Sequence, residues 1–353
     1  DLMFVRPRII SVGTAVPPNR YTQQEVISRY AVHNPAIKNI FSASHIQTRH
    51  LYLPPANEQG KPEETQTQLL KKHRKGALEL AEKAIGECLS KQGLTTKDID
   101  MLCCISSTGF MLPGLTAMFI KHLGFRVDCH RMDLVGMGCN AGLNGLNPAS
   151  AWATANPGKN CLMICCEINS ALYVFEETIG SGVVNSLFGD GCSAILLRAD
   201  AQDEDTHTPQ ILHFSSHIIP DTWRAMSYHW REEHGKFSFH LDRDVPYVLG
   251  SHADKPVRKL LDKQRLKVRD IDHWIVHSGG KKVIDAIKYT VGLTAYDMRN
   301  TIAVLKDYGN LGSGSFLFSY KRLCTEKKTK VGDYGVMMTM GPGSTIETAL
   351  LRW

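Results

Sequence analysis

Residues 89–100 read LSKQGLTTKDID, and residues 261–272 read LDKQRLKVRDID. Leu, Lys, Gln, Leu, Asp, Ile and Asp recur in order without a gap, at an offset of 172 residues in a chain of 353. Self-similarity at half the chain length points to a fold assembled from two copies of one unit. The flanks extend the match. Each copy follows a helical pattern (GALELAEKAIGECL or PVRKLL), enters an apolar run (MLCCIS or HWIVHS), then reaches a second helical pattern that stops near Gly124 or Gly292.

Helical patterns alternating with continuous apolar runs predict an α/β fold with largely parallel sheets buried on both faces. KNCLMICCEI (159–168), GCSAILLRA (191–199) and YGVMMTMG (334–341) are further expected strands. AQDEDTHTPQ (201–210) is polar and acidic and reads as an exposed junction. It separates an expected N-terminal half, residues 1–200, from a C-terminal half, residues 211–353.

Composition excludes several function classes. With 43% hydrophobic and 22% charged residues the chain reads as globular, and no apolar run nears the roughly 18–20 residues of a membrane span. The opening DLMFVRPRII lacks a charged region followed by a long apolar stretch, so no secretion signal is expected. The net charge of +6 fits a mixed surface, or a basic rim for an anionic substrate such as a coenzyme A ester. The basic run KKHRK (71–75) lacks interleaved aromatics, so nucleic acid is not an expected partner. Most of the ten cysteines lie in apolar runs and none pair as CxxC, which predicts buried free thiols in the cytoplasm, without zinc or disulfides. Cys139 differs: it lies in the glycine-rich, turn-like GMGCNAG.

The repeat offset carries Cys139 to position 311, inside DYGNLGSGS (307–315), and carries His277 back to the end of the apolar run MLCCIS. GMGCNAG and YGNLGSG both read as strand ends that turn through glycine into a helix. In a pseudo-twofold structure the two helix starts face one cavity, at the strand ends where α/β sheets bind ligands. Duplication alone therefore gathers Cys139, His277 and Asn310. Singly, each has a plainer reading: a buried thiol, a core histidine, a turn asparagine. Together they are chemically coherent. A thiolate at a helix start accepts an acyl group, while the His277 imidazole and the Asn310 amide donate to a thioester oxygen and stabilise an enolate. No metal is needed.

VGMGCNAG, VHSGG, YGNLGSGS and MGPGSTIETALLRW, in that order and spacing, resemble the type III polyketide synthases, relatives of chalcone synthase. The resemblance implies a five-layered αβαβα thiolase fold, a homodimer, and Cys139, His277 and Asn310 as the catalytic set. It implies decarboxylative condensation of malonyl-CoA with no cofactor beyond the coenzyme A thioesters themselves. It assigns Phe188 in SLFGDG and Phe239 in FSFHLDRDVP as gatekeepers between coenzyme A tunnel and cavity. Leu112 in GFMLPG matches the residue that reaches into the partner's cavity. Gly341, Pro342 and Gly343 match a loop shaping the cyclisation pocket, and Leu172 a cavity position. Arg49 is the one clear basic residue where plant members grip coenzyme A phosphates. SASHIQTRHLYLP, GMGCNAGLNGLNPA and SGVVNSLFGDG most resemble the bacterial members that form 3,5-dihydroxyphenylacetyl-CoA, a building block for glycopeptide antibiotics. That would make malonyl-CoA both starter and extender over four units, with downstream thioester-processing enzymes as partners. A tetrahydroxynaphthalene, phloroglucinol or pyrone product, or a non-catalytic acyl-binding subunit, are the alternatives.

Overall fold

The structure, a computed structural model, describes residues 5–56, 58, 60, 62–200 and 207–353. The expected junction therefore lies mostly outside the described residues. The first half contains β1 (Pro7–Ala15), β2 (Arg20–Thr22), α1 (Gln23–Arg29), α2 (Pro35–Ser42), β3 (Thr48–His50) and α3 (Gln66–Ser90). It continues with β4 (Met101–Ser106), α4 (Leu115–Leu123), β5 (His130–Val135), α5 (Ala141–Ala155), β6 (Cys161–Glu167), α6 (Ile179–Leu187) and β7 (Gly191–Ala199). The second contains β8 (Gln210–Ile218), β9 (Met226–Arg231), β10 (Lys236–Leu241), α7 (Val245–Ser251), α8 (Asp254–Asp262) and β11 (His273–Val276). It closes with α9 (Lys281–Val291), α10 (Arg299–Tyr308), α11 (Ser315–Glu326), β12 (Tyr334–Gly341) and β13 (Thr345–Arg352).

The strands run β11-β12-β13-β8-β1-β7-β6-β4-β5, joined at the centre where Arg8 pairs with Gln210. Outward from that seam the halves repeat: β1-β7-β6-β4 mirrors β8-β13-β12-β11, antiparallel twice and then parallel. Strand residues alternate between two cores, which is why the runs are apolar throughout. In β6, Cys161, Met163 and Cys165 face the core around α5 and α11, whereas Leu162, Ile164 and Cys166 face α3 and α4. In β12, Met337 joins the first of these, while Val336 and Met338 pack under α8 and α9. The layers thus run outer helices, sheet, central α5 and α11, sheet, outer helices. Among the described residues no helix is long and apolar enough to cross a membrane.

The matched residues of the repeat make matched bonds. Leu94 N donates to Leu89 O (3.1 Å) and Leu266 N to Leu261 O (3.0 Å). Asp98 accepts from Thr95 N, and Asp270 from Lys267 N, both at 2.8 Å. Asp100 caps Asn160 N and Asp272 caps Tyr334 N, just before β6 and at the first residue of β12. The turn needs a left-handed residue, and Gly93 (φ +66°) supplies it in one half; in the other, Arg265 holds φ +56° despite its side chain.

Candidate active site

Cys139 sits in the 3-10 turn Gly138–Asn140 that leads into α5. Gly138 is left-handed (φ +77°), and a Cβ there would come 2.5 Å from the Pro342 ring. Its N–H donates to Ser107 Oγ (2.8 Å), and Thr339 Oγ donates to Asn140 O (3.0 Å), fixing the turn to β4's end and to β12. The facing turn, Gly312–Gly314, leads into α11 in the same manner.

Asn310 stands before that second turn, but one expectation fails here. It follows a helix, α10, rather than a strand. Only the first half has a strand (β5) ahead of its turn, because NTIAVLKDY carries helical periodicity where HRMDLV does not. Asn310 is instead held by a single bridge to Phe188: Asn310 N donates to Leu187 O and Gly189 N to Asn310 O, both 2.9 Å. Gly312 N donates to Asn310 Oδ1 (2.8 Å), which fixes the amide's orientation. The Cys139 thiol donates to that oxygen across 3.8 Å, so the offset does bring the two turns together.

His277 follows β11 directly and is 2% exposed. Ser278 Oγ donates to Gly309 O (3.0 Å) and Asn310 Nδ2 to Gly279 O (3.4 Å), so the His277 loop is tied to Asn310. Among the described residues no hydrogen bond joins His277 to Cys139, and His277 Nδ1 is buried without a partner. Burial pushes the Cys139 thiol up to about 12, with the Glu167 carboxylate adding to the rise. Burial pulls the imidazole down to about 3. Burial thus disfavours the charged form of both groups.

Cys139, Leu172, Phe188, Phe239 and Pro342 line one cavity of about 30 Å³. Phe188 and Phe239 meet edge to face, centroids 5.5 Å apart. Gly341 packs on the backbone of Cys139 and Asn140, and Gly343 forms the turn into β13. Leu112 is 99% exposed and does not enter the cavity of its own chain. Arg49 is a correction: it is fully buried and binds Gln23, Tyr173 and the Asn185 and Phe188 carbonyls, so it presents no charge to a coenzyme A phosphate.

Among the cavity residues that the sequence reading missed are Tyr228 and Glu167. Tyr228 on β9 packs against Phe239 and gave no signal. Glu167 did: it is the one charge ending the apolar run KNCLMICC. Its carboxylate accepts from Ser107 N (2.9 Å) and Ser313 Oγ (2.7 Å), yet burial lifts it to about 7. Glu167→Gln removes a negative charge that opposes the Cys139 thiolate. Iodoacetamide should therefore alkylate Cys139 about three- to tenfold faster at pH 8, where Glu167 is mostly ionised. The advantage should shrink toward none at pH 6, where the wild-type carboxyl is mostly protonated. A variant alkylated no faster at pH 8 would show that Glu167 does not act on the thiol.

Comparison with known proteins identifies the family and the fold. Residues 36–264 match the family described as FAE1/Type III polyketide synthase-like protein, and residues 210–353 match Chalcone and stilbene synthases, C-terminal domain. A 3,5-dihydroxyphenylacetyl-CoA synthase of Streptomyces toyocaensis is 49% identical over 99% of this chain and 90% of its own length. A 1,3,6,8-tetrahydroxynaphthalene synthase of Streptomyces peucetius subsp. caesius is 30% identical over 98% and 93%. Among solved structures, PKS-I of the brown alga Ectocarpus siliculosus superposes with a TM-score of 0.90 at 27% identity, covering 100% of this chain and 99% of that one.

Proposed function

The chain belongs to the type III polyketide synthases, acyltransferases that condense coenzyme A thioesters, and from that premise we propose that it makes 3,5-dihydroxyphenylacetyl-CoA from malonyl-CoA alone. The observation that carries the reading is the 3.8 Å contact between Cys139 and Asn310 at the head of two facing turns. The 49% identity to a synthase of that name, against 30% for a tetrahydroxynaphthalene synthase, favours the product.

Cys139 carries the growing acyl chain as a thioester. Asn310 Nδ2 spends one proton on Gly279 O and keeps the other for a substrate oxygen. Placing the His277 proton on Nε2 leaves the buried Nδ1 as a bare acceptor rather than a stranded N–H, which is the cheaper state. The two donors stabilise the enolate left when malonyl loses carbon dioxide. The enolate carbon attacks the Cys139 thioester carbonyl, the thiolate leaves, and the elongated chain returns to Cys139. Four malonyl units supply the eight product carbons, and ring closure with loss of water gives the resorcinol ring. The halves 1–200 and 211–353 each give one turn to the site. A homodimer fits exposed Leu112 (99%) and Val135 (57%), the latter on β5, an edge strand of the sheet.

Incubation with malonyl-CoA as sole substrate, followed by mass spectrometry, tests the reading. The expected products are carbon dioxide and 3,5-dihydroxyphenylacetyl-CoA. A requirement for another starter, or a naphthalene or pyrone product, overturns the product assignment, and no carbon dioxide release overturns catalysis.

A further inference from the structure

Burying a guanidinium is expensive unless every donor is met, and Arg49 is buried with no carboxylate among its hydrogen-bond partners. Nε and Nη2 donate to Gln23 Oε1 (3.1 and 2.7 Å), and Nη1 reaches Tyr173 OH (2.8 Å), Asn185 O (2.6 Å) and Phe188 O (2.8 Å). Tyr173 OH is a second donor to Phe188 O. The clamped segment is the one from which Asn310 hangs, through Leu187 O and Gly189 N. The side-chain stem works on the same target. A Cβ on Gly309 (φ +75°), the residue before Asn310, would lie 3.1 Å from Arg49 Cδ. The backbone around Arg49 closes the ring: Gln47 N donates to Lys306 O (2.8 Å), Thr48 Oγ to Asp307 O (2.9 Å), and Asp190 N to His50 O (3.0 Å). Three segments far apart in sequence, 47–50, 185–190 and 306–310, are thus locked together around one guanidinium.

We infer that Arg49 is a positioning residue for condensation, holding the Phe188 wall and the Asn310 amide in register with Cys139. The inference rests on the role proposed above for Asn310. Arg49 touches no substrate; it acts through the bridge between Phe188 and Asn310. Lysine keeps the charge but not the fork that spans these acceptors.

A double-mutant cycle on malonyl-CoA decarboxylation distinguishes positioning from bulk stabilisation. Arg49→Lys is expected to lower kcat about tenfold with KM changed less than about twofold, the signature of a misplaced group. Iodoacetamide alkylation of Cys139 should stay within about twofold of wild type, since the nucleophile turn is held elsewhere. In an Asn310→Ala background Arg49→Lys should cost less than about twofold more, because the group it positions is gone. Should Arg49→Lys fail to fold, Tyr173→Phe, which removes the other side-chain donor on Phe188 O, carries the same cycle with an expected loss of about threefold. Losses that multiply fully in the double variant, or alkylation falling in step with kcat, overturn the inference alone. Undiminished decarboxylation in Asn310→Ala overturns the role of the amide and the inference with it.

Discussion

Cys139→Ala is expected to abolish carbon–carbon bond formation while sparing decarboxylation. Condensation needs a thioester on the enzyme, and no other cysteine can substitute. Of the ten, eight are buried in the cores and Cys324 is exposed on α11, away from the cavity. Loss of the covalent intermediate should reduce product at least about a thousandfold, to background. Decarboxylation requires only the donors around the enolate oxygen, and the variant leaves His277 and Asn310 in place. Purified Cys139→Ala enzyme given malonyl-CoA should therefore release carbon dioxide and acetyl-CoA, with no longer chain detectable by mass spectrometry. Product formed at more than a few per cent of the wild-type rate would remove Cys139 from the acyl-carrying role.

Asn310→Ala should give the complementary pattern, losing decarboxylation and condensation together by about 10²–10³-fold, the usual loss when one preorganised oxyanion donor is deleted. The side chain also supports the turn, through Gly312 N at 2.8 Å, so stability is a necessary control. The bridge to Phe188 uses only backbone atoms and survives the substitution. Asn310 Oδ1 accepts from the thiol and so favours its protonated form, and Cys139 in the variant should alkylate no more slowly than in wild type at a given pH. Comparing acetyl-CoA release with alkylation separates the two contributions. Carbon dioxide release within about fivefold of wild type would place enolate stabilisation elsewhere in the cavity.

Much of this site was legible before any coordinates. GCSAILLRA and YGVMMTMG are β7 and β12 residue for residue, since strands buried on both faces read as long, mostly apolar runs. The Cys139–Asn310 contact followed from the offset, because duplication converts sequence distance into spatial symmetry. The failures are equally physical. Periodicity was there to read in NTIAVLKDY, but the symmetry argument overrode it and put a strand where α10 lies. Arg49 was assigned by its charge, and nothing in a one-dimensional string says that a guanidinium has enough neutral acceptors around it to be buried. Tyr228 reaches the cavity from β9, a strand outside the main sheet, so neither repeat nor pattern could place it.

Arg265 dates the two halves against each other. Where Gly93 makes its turn without strain, Arg265 makes the same turn against the preference of its own Cβ, while the aspartates that cap the turn are unchanged on both sides. A duplicated segment drifts soonest where replacement costs only about 1 kcal/mol, as one left-handed non-glycine does, and slowest where a side chain closes a loop of hydrogen bonds. The apex of this turn has been rewritten and its anchors have not. The resemblance between the halves that can still be read in the letters is thus a record of which atoms the backbone could not do without.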